Sequence, residues 1–234
     1  MHPTALENCK RFFAAYADAF PTEHRVKIVE IGSQDVNGSI RPLAPPAFEY
    51  VGVDFVDGNG VDVVLTDPYT LPFVDQSIDI VLSSSCFEHS EMFWLLFSEI
   101  MRILKPKGLF YLNAPSNGIF HRHPVDCWRF YPDSGAALVS WAKRNGMNAL
   151  LLESFISAPS DDGGFSDFVS VFLRDENHVN DFGRRILDGK TDFSNGRLHA
   201  VDGFLNYSIA NQNQSGRKRE RKWIEKFNQF RKPR

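Results

Sequence analysis

Long apolar runs, cysteine pairs and a glycine-rich phosphate signature are all missing from these 234 residues. No stretch approaches the roughly 20 apolar residues that a membrane-spanning helix needs. The N-terminus has no basic, then apolar, then small-residue succession, so export is not expected and a cytoplasmic location is. The three cysteines, Cys9, Cys86 and Cys127, are widely spaced and form no C-x-x-C pair. That argues against a zinc or disulfide framework and for a reducing compartment. No internal repeat is present.

What remains is enough for a full core. With 43% hydrophobic and 13% aromatic content, the chain can bury an α/β core as one domain with an appendage. The net charge of −3 conceals an asymmetry. Residues 217–234 hold nine Lys/Arg against Glu220 and Glu225, or +7, leaving 17 basic and 27 acidic groups, or −10, elsewhere. An acidic body is a poor nucleic-acid surface, and no nucleic-acid partner is expected.

Along the chain, Thr4-x-x-Glu7 reads as a capping box for a helix running to Phe20 and stopped by Pro21. Strands rich in Val, Ile and Tyr are predicted at 26–31, 49–54 and 61–65, with a short helical turn at 39–43 between the first two. A fourth strand follows at 77–83. Ser90 is read as the cap of a helix carrying Phe93, Phe97, Ile100 and Leu104 at helical spacing. Lys105-Pro106-Lys107-Gly108 ends that helix, and Leu109–Asn113 forms the next strand. A helix at 133–145 and strands at 149–156 and 167–173 complete the pattern. Alternation of this kind predicts a doubly wound, mostly parallel, seven-stranded α/β sheet with helices on both faces. The divisions expected are an N-terminal helix (1–25), a cofactor-binding domain (26–175) and a C-terminal extension (176–234).

Two strand ends carry the chemistry. Val29-Glu30-Ile31-Gly32-Ser33-Gln34 and Tyr50-Val51-Gly52-Val53-Asp54 each run from an apolar strand into a polar terminus. In a doubly wound sheet these ends border a nucleoside pocket: glycine lets backbone approach the ligand, and the second carboxylate takes ribose hydroxyls. A dinucleotide site would want G-x-G-x-x-G after the first strand. Gly32 stands alone until Gly38, a loop suited to a nucleoside without phosphates.

Here the chain resembles the class I S-adenosylmethionine-dependent methyltransferases, in particular the type 11 branch. The likeness covers about residues 26–175 and rests on an ordered set: Glu30-Ile31-Gly32, Asp54, Thr66-Asp67-Pro68 with Leu71-Pro72-Phe73, Ser83-Ser84-Ser85-Cys86-Phe87-Glu88-His89, and Ile103-Leu104-Lys105-Pro106-Lys107-Gly108. The family's E-x-G-x-G-x-G has Gln34 and Val36 at its later glycine positions, and Asn37-Gly38 supplies the tolerant turn instead. The resemblance implies S-adenosylmethionine as cofactor. Asp54 would accept from both ribose hydroxyls, Phe55 would flank the adenine, and Asp67 with Pro68 would meet its amine. Gly32, Ser33 and Gln34 would lie near the methionine moiety, Glu30 and Ser83 near its charged ends, and His89 near the methyl group. Asp67 also reads as a simple turn aspartate, and His89 as a solvated residue near a helix start.

For the acceptor, the run from Phe120 to Tyr131 follows the fifth strand, where an open α/β sheet has its crevice. His121 or His123 is the expected base, with Asp126 fixing its tautomer. Trp128 and Tyr131 offer faces to a sugar or ring, and Arg129 suits a phosphate or carboxylate. The competing reading is an Asp126–Arg129 structural ion pair with Trp128 and Phe130 packed beneath the last helix. His121, His123 and Asp126 have no spacing specific to a metal site, and no metal is expected.

The expected function is methyl transfer to a small polar acceptor, a hydroxyl of a sugar or glycan precursor, as in carbohydrate biosynthesis. The alternatives are a quinone-like or natural-product ring as acceptor, or a non-catalytic cofactor-binding partner protein. The 217–234 tail, with Trp223, Phe227 and Phe230 on one helical face, is read as a solvated helix. Contact with an acidic membrane surface or another subunit, as in a homodimer, is its alternative.

Overall fold

The computed structural model describes residues 2–20, 25–158 and 166–209. The tail expectation at 217–234 lies outside these residues.

Eight strands form one sheet: β1 (Lys27–Ile31), β2 (Glu49–Asp54), β3 (Val63–Val64), β4 (Ile78–Ser84), β5 (Leu104–Pro115), β6 (Leu150–Ser157), β7 (Asp167–Leu173) and β8 (Phe193–Leu198). Their order is β3-β2-β1-β4-β5-β7-β6-β8. The pairs among β3, β2, β1, β4 and β5 are parallel, whereas β7 runs antiparallel to both β5 and β6, and β8 antiparallel to β6. The chain winds outward from β1 through β2 to β3, then returns to place β4 on the other side of β1. The β1/β4 boundary is therefore the switch point, and the crevice belongs at the carboxyl ends of these strands.

Helices α2 (Phe93–Ile103) and α3 (Ser134–Arg144) cover one face, and α1 (Pro3–Tyr16) covers the other. The period-2 geometry of β1 divides its side chains between two cores. Val29 and Ile31 join Phe97, Ile100 and Leu138 beneath α2 and α3. Ile28 joins Cys9, Phe12 and Tyr16 beneath α1.

Local signals shifted in three places. The α1 helix opens at Pro3 with His2 before it and no side-chain cap. Thr4 instead donates from its hydroxyl to Asp167 at 3.4 Å, and Glu7 pairs with Arg11 one turn on. The 93–103 helix is preceded by Met92, not capped by Ser90. The eighth strand, β8, was not among the seven predicted. Its Asn195 takes φ +51°, and its pairing with β6 is irregular between Ser154 and Ile156. A strand so interrupted carries no clean alternation, and neighbouring chain decides its pairing.

Glu153 on β6 ties the far layer together. Its carboxylate accepts from the Tyr16 hydroxyl at 2.6 Å and from the backbone N–H groups of Ile186 (2.7 Å) and Leu187 (3.0 Å). Burial pushes its pKa up, and these three donors pull against that. Glu153→Ala would leave three buried donors unpaired, and about 3 kcal/mol or more of stability should be lost. Denaturant titration checks this, and an unchanged midpoint would refute it.

Candidate functional site

A cleft of about 980 Å³ opens at the carboxyl ends of β1, β2, β4 and β5. That is near the upper end of the roughly 300–1,000 Å³ typical of small-molecule sites, room for a cofactor and an acceptor together. Its wall comes from the loops leaving those strands.

At the cofactor end, β1 passes into Gly32, whose φ is +78°. A Cβ placed there would lie 2.5 Å from Cys86 Cβ and 2.7 Å from its Sγ, so no side chain fits. The N–H groups of Gly32 and Ser33 both donate to the Val53 carbonyl, at 3.0 and 3.2 Å. This carries the turn across the end of β2. Gly38 closes the loop at φ +118°, its N–H held by Asp35 Oδ1 at 2.7 Å. The displaced Asn37-Gly38 turn thus has its structural counterpart.

Asp54 ends β2 on the cleft wall. Its Oδ2 accepts from Gln34 N (3.1 Å), and its Oδ1 from Phe55 N (2.8 Å) and Val56 N (3.3 Å). These bonds fix the carboxylate against the loops on either side, leaving further lone-pair capacity toward the cleft. Gln34 and Phe55 line the same wall, and Phe55 is 48% exposed there.

Several sequence-predicted residues stand away from that wall. Glu30 alternates onto the α1 face with Ile28, where it accepts from the Tyr50 hydroxyl at 2.8 Å. Burial pushes its pKa up to about 7. Ser33 is buried, its Oγ against the site where Gly52 would carry a Cβ. Ser83 is buried and donates to the Ile31 carbonyl at 3.1 Å, so Ser84 and Ser85 face the cleft in its place. Asp67 accepts from Tyr69 N at 2.9 Å and the Thr70 hydroxyl at 2.8 Å, bonds that hold its pKa low. It caps its own turn, and Pro68 and Tyr69 reach the wall.

At the other end, β4 runs into Ser85, a non-glycine residue at φ +53°. Backbone strain of this kind is held by surrounding structure and is common at functional sites. The short turn Phe87–His89 follows. The 119–131 run is stapled to it: Cys127 N and Trp128 N donate to the Glu88 carbonyl at 2.8 and 3.2 Å, the Trp128 indole donates to Ser90 O at 2.9 Å, and His89 Nδ1–H donates to Val125 O. These bonds place Glu88, His89, His121 and His123 on one wall of the cleft. The His89 and His121 rings meet edge to face with centroids 5.1 Å apart, and His123 lies 6.1 Å from His89. Burial lowers the His89 pKa and raises that of Glu88 to about 8.

Asp126 and Arg129 form the two-bonded ion pair that was the competing expectation, at 2.5 and 2.9 Å. The guanidinium holds the Asp126 carboxyl down to about 2. Asp126 also accepts from His121 N at 2.8 Å, while its Oδ2 stands 3.7 Å from His121 Nδ1. Trp128 packs edge-on against Phe93 and Trp94, and Trp128, Arg129 and Tyr131 lie outside the cleft wall. The sequence reading did not give Glu88 or Ser85 a role. Glu88 sits beside His89 in a quoted motif, and that adjacency was the available signal.

A doubly wound sheet with a strand-end carboxylate at Asp54, a glycine first turn and a histidine-bearing wall is a Rossmann-like architecture with its cleft at the switch point. Residues 38–112 match the family model described as a methyltransferase domain. An uncharacterised methyltransferase from Mycobacterium avium is 30% identical over 136 residues, covering 58% of this chain and 47% of that protein. Another from Mycobacterium tuberculosis is 40% identical over 70 residues, 30% of this chain and 24% of its own. This chain thus spans less than half the length of these relatives. Among solved structures, the Burkholderia thailandensis 1,6-didemethyltoxoflavin-N1-methyltransferase, with 1,6-didemethyltoxoflavin and S-adenosylhomocysteine bound, aligns with a TM-score of 0.53. It is 13% identical, over 74% of this chain and 79% of that one, a likeness of fold. Over its central part the chain is thus similar to methyltransferases, on a Rossmann-like methyltransferase fold. No helix among the described residues is long and apolar enough to cross a membrane.

Proposed function

We propose that this chain transfers the methyl group of S-adenosylmethionine to a hydroxyl of a small polar acceptor, a sugar or glycan precursor. One observation carries the reading: a single cleft joins the Gly32–Asp54 end to the histidine wall. Asp54 and Phe55 would hold the nucleoside, and Ser85 and His89 would flank its reactive end on the same cleft. The acceptor enters between that methyl group and His121 and His123. The new C–O bond forms as the C–S bond breaks, with its electron pair passing to sulfur. The hydroxyl proton passes to a ring nitrogen of His121 or His123. The sulfonium is already activated, so alignment supplies much of the rate, roughly 7–11 kcal/mol where it is good.

A sugar is favoured over an apolar ring because the acceptor wall presents imidazoles, the Glu88 carboxyl group and Arg122. The 119–131 run, stapled to the turn after β4, serves as the acceptor loop, and the Asp126–Arg129 pair positions it. The domain extends through β8, which shares the sheet with β1.

His123→Ala is expected to lower kcat by about 100-fold or more while leaving cofactor affinity at the parent value. Calorimetry with S-adenosylmethionine, followed by methyl release on a panel of sugars and nucleotide sugars, tests this. Cofactor binding without turnover on any acceptor, unaltered in the variant, would favour a non-catalytic binding protein.

A further inference from the structure

We infer that Glu88, His89 and His121 bind a divalent transition-metal ion of the zinc type on the acceptor wall of the cleft. What the ion does there rests on the methyl-transfer reading; that it binds does not. The sequence reading expects no metal because His121, His123 and Asp126 lack a metal-site spacing, and Glu88-His89 lies more than thirty positions before His121. The fold closes that gap through the backbone bonds that staple 125–128 to 88–90.

Four observations carry the site. First, one ligand atom from each of the three residues lies within 4.8 Å of the other two, the one such trio among the described residues. His89 Nε2 and Glu88 Oε1 are 3.7 Å apart. A tetrahedral ion with bonds of about 2.0–2.2 Å wants ligand atoms roughly 3.3–3.6 Å apart, so small side-chain rotations close the set.

Second, the His89 imidazole is already turned for coordination. His89 Nδ1–H donates to Val125 O, and His121 Nδ1 sits 3.0 Å from Ile119 O. The Val125 carbonyl on His89 Nδ1 fixes the tautomer that leaves His89 Nε2, 3.7 Å from Glu88 Oε1, with its lone pair, the outer support that metal-binding histidines ordinarily have.

Third, Glu88 is 1% exposed, and its Oε2 has no hydrogen-bond partner in the protein. A buried carboxylate oxygen left unpaired is costly, and a cation is the partner that removes the cost. Fourth, all three residues face the cleft. Two nitrogens and one carboxylate oxygen leave a coordination position open, the pattern of catalytic rather than structural zinc.

That open position takes the acceptor's hydroxyl oxygen. The ion polarises the O–H bond, and its proton goes to His123, the cleft histidine outside the trio. The oxygen lone pair then forms the C–O bond as the C–S electron pair returns to sulfur. His121 is a ligand in this arrangement, which removes the choice between the two histidines as base.

The test uses the full chain, stripped with a chelator and titrated with Zn²⁺, then with Co²⁺ as a visible-absorption probe. One ion per chain is expected, with d–d bands of a four- or five-coordinate centre. Glu88→Gln and His121→Ala should each weaken uptake at least about tenfold, and His123→Ala should leave it intact. Circular dichroism melts confirm that the variants are folded, and S-adenosylmethionine titration of the same samples should be unchanged. No stoichiometric uptake by the parent overturns the inference. So does uptake that survives in both ligand variants. Ion binding without cofactor binding would sink the methyl-transfer reading and leave the site standing; cofactor binding and turnover without any ion would do the reverse.

Discussion

Asp54→Ala should weaken S-adenosylmethionine binding by roughly 100-fold or more. Each hydrogen bond from a ribose hydroxyl to a carboxylate contributes about 1.5–3 kcal/mol. Two such bonds amount to about 3–6 kcal/mol, and every 1.4 kcal/mol is about tenfold in affinity. The same carboxylate holds Gln34 N, Phe55 N and Val56 N. Its removal therefore frees both loops of the cofactor end, and their reordering adds to the loss. Asp54→Asn separates the two effects. Its amide keeps one acceptor oxygen but presents N–H groups where the other accepted, so an intermediate loss is expected. Calorimetry on folded variants reads both. An alanine variant that binds the cofactor as tightly as the parent would remove Asp54 from the site.

Gly32→Ala should destabilise the fold by about 2–5 kcal/mol and abolish cofactor binding together. The new methyl would meet Cys86 Cβ at 2.5 Å, and a non-glycine residue at φ +78° costs about 1–2 kcal/mol by itself. Overpacking of a close contact adds roughly 1–3 kcal/mol more. Relief by moving apart would separate β1 from β4, the two strands whose divergence makes the crevice. The paired substitution Gly32→Ala with Cys86→Gly removes the clash and keeps the strain. It should recover all but about 1–2 kcal/mol, the backbone term. Denaturant midpoints for the single and double variants decide the matter. Equal stability of parent and Gly32→Ala would show that the close approach does not constrain this turn.

The two ends of the cleft differ in how far they could be read in advance. The cofactor end is local: a strand, a glycine, then a strand closing on an aspartate about twenty positions later. Its layout follows from chain geometry over short spans, so the places of Gly32, Gln34, Asp54 and Phe55 on the cleft wall were all legible. Glu30 and Ser83 were legible as polar positions, but which face each would take depended on alternation along the strand. Glu30 points to α1 and Tyr50, and Ser83 to the Ile31 carbonyl.

The acceptor end is not local. The 120–131 run announced itself by composition, yet its histidines and its aromatics part company in the structure. His121 and His123 turn to the cleft, while Trp128 packs on Phe93 and Arg129 is absorbed by Asp126. The bonds that sort them run to Glu88, His89 and Ser90, residues far away in the chain.

By itself the sequence determined the alternation of strands and helices, the glycine turn and the strand-end carboxylate, because each is set by neighbours within a few turns of chain. Only the tertiary structure decided that an eighth strand joins the sheet, and that Glu88 meets two histidines. Those outcomes depend on backbone hydrogen bonds between distant segments, whose partners no local pattern specifies.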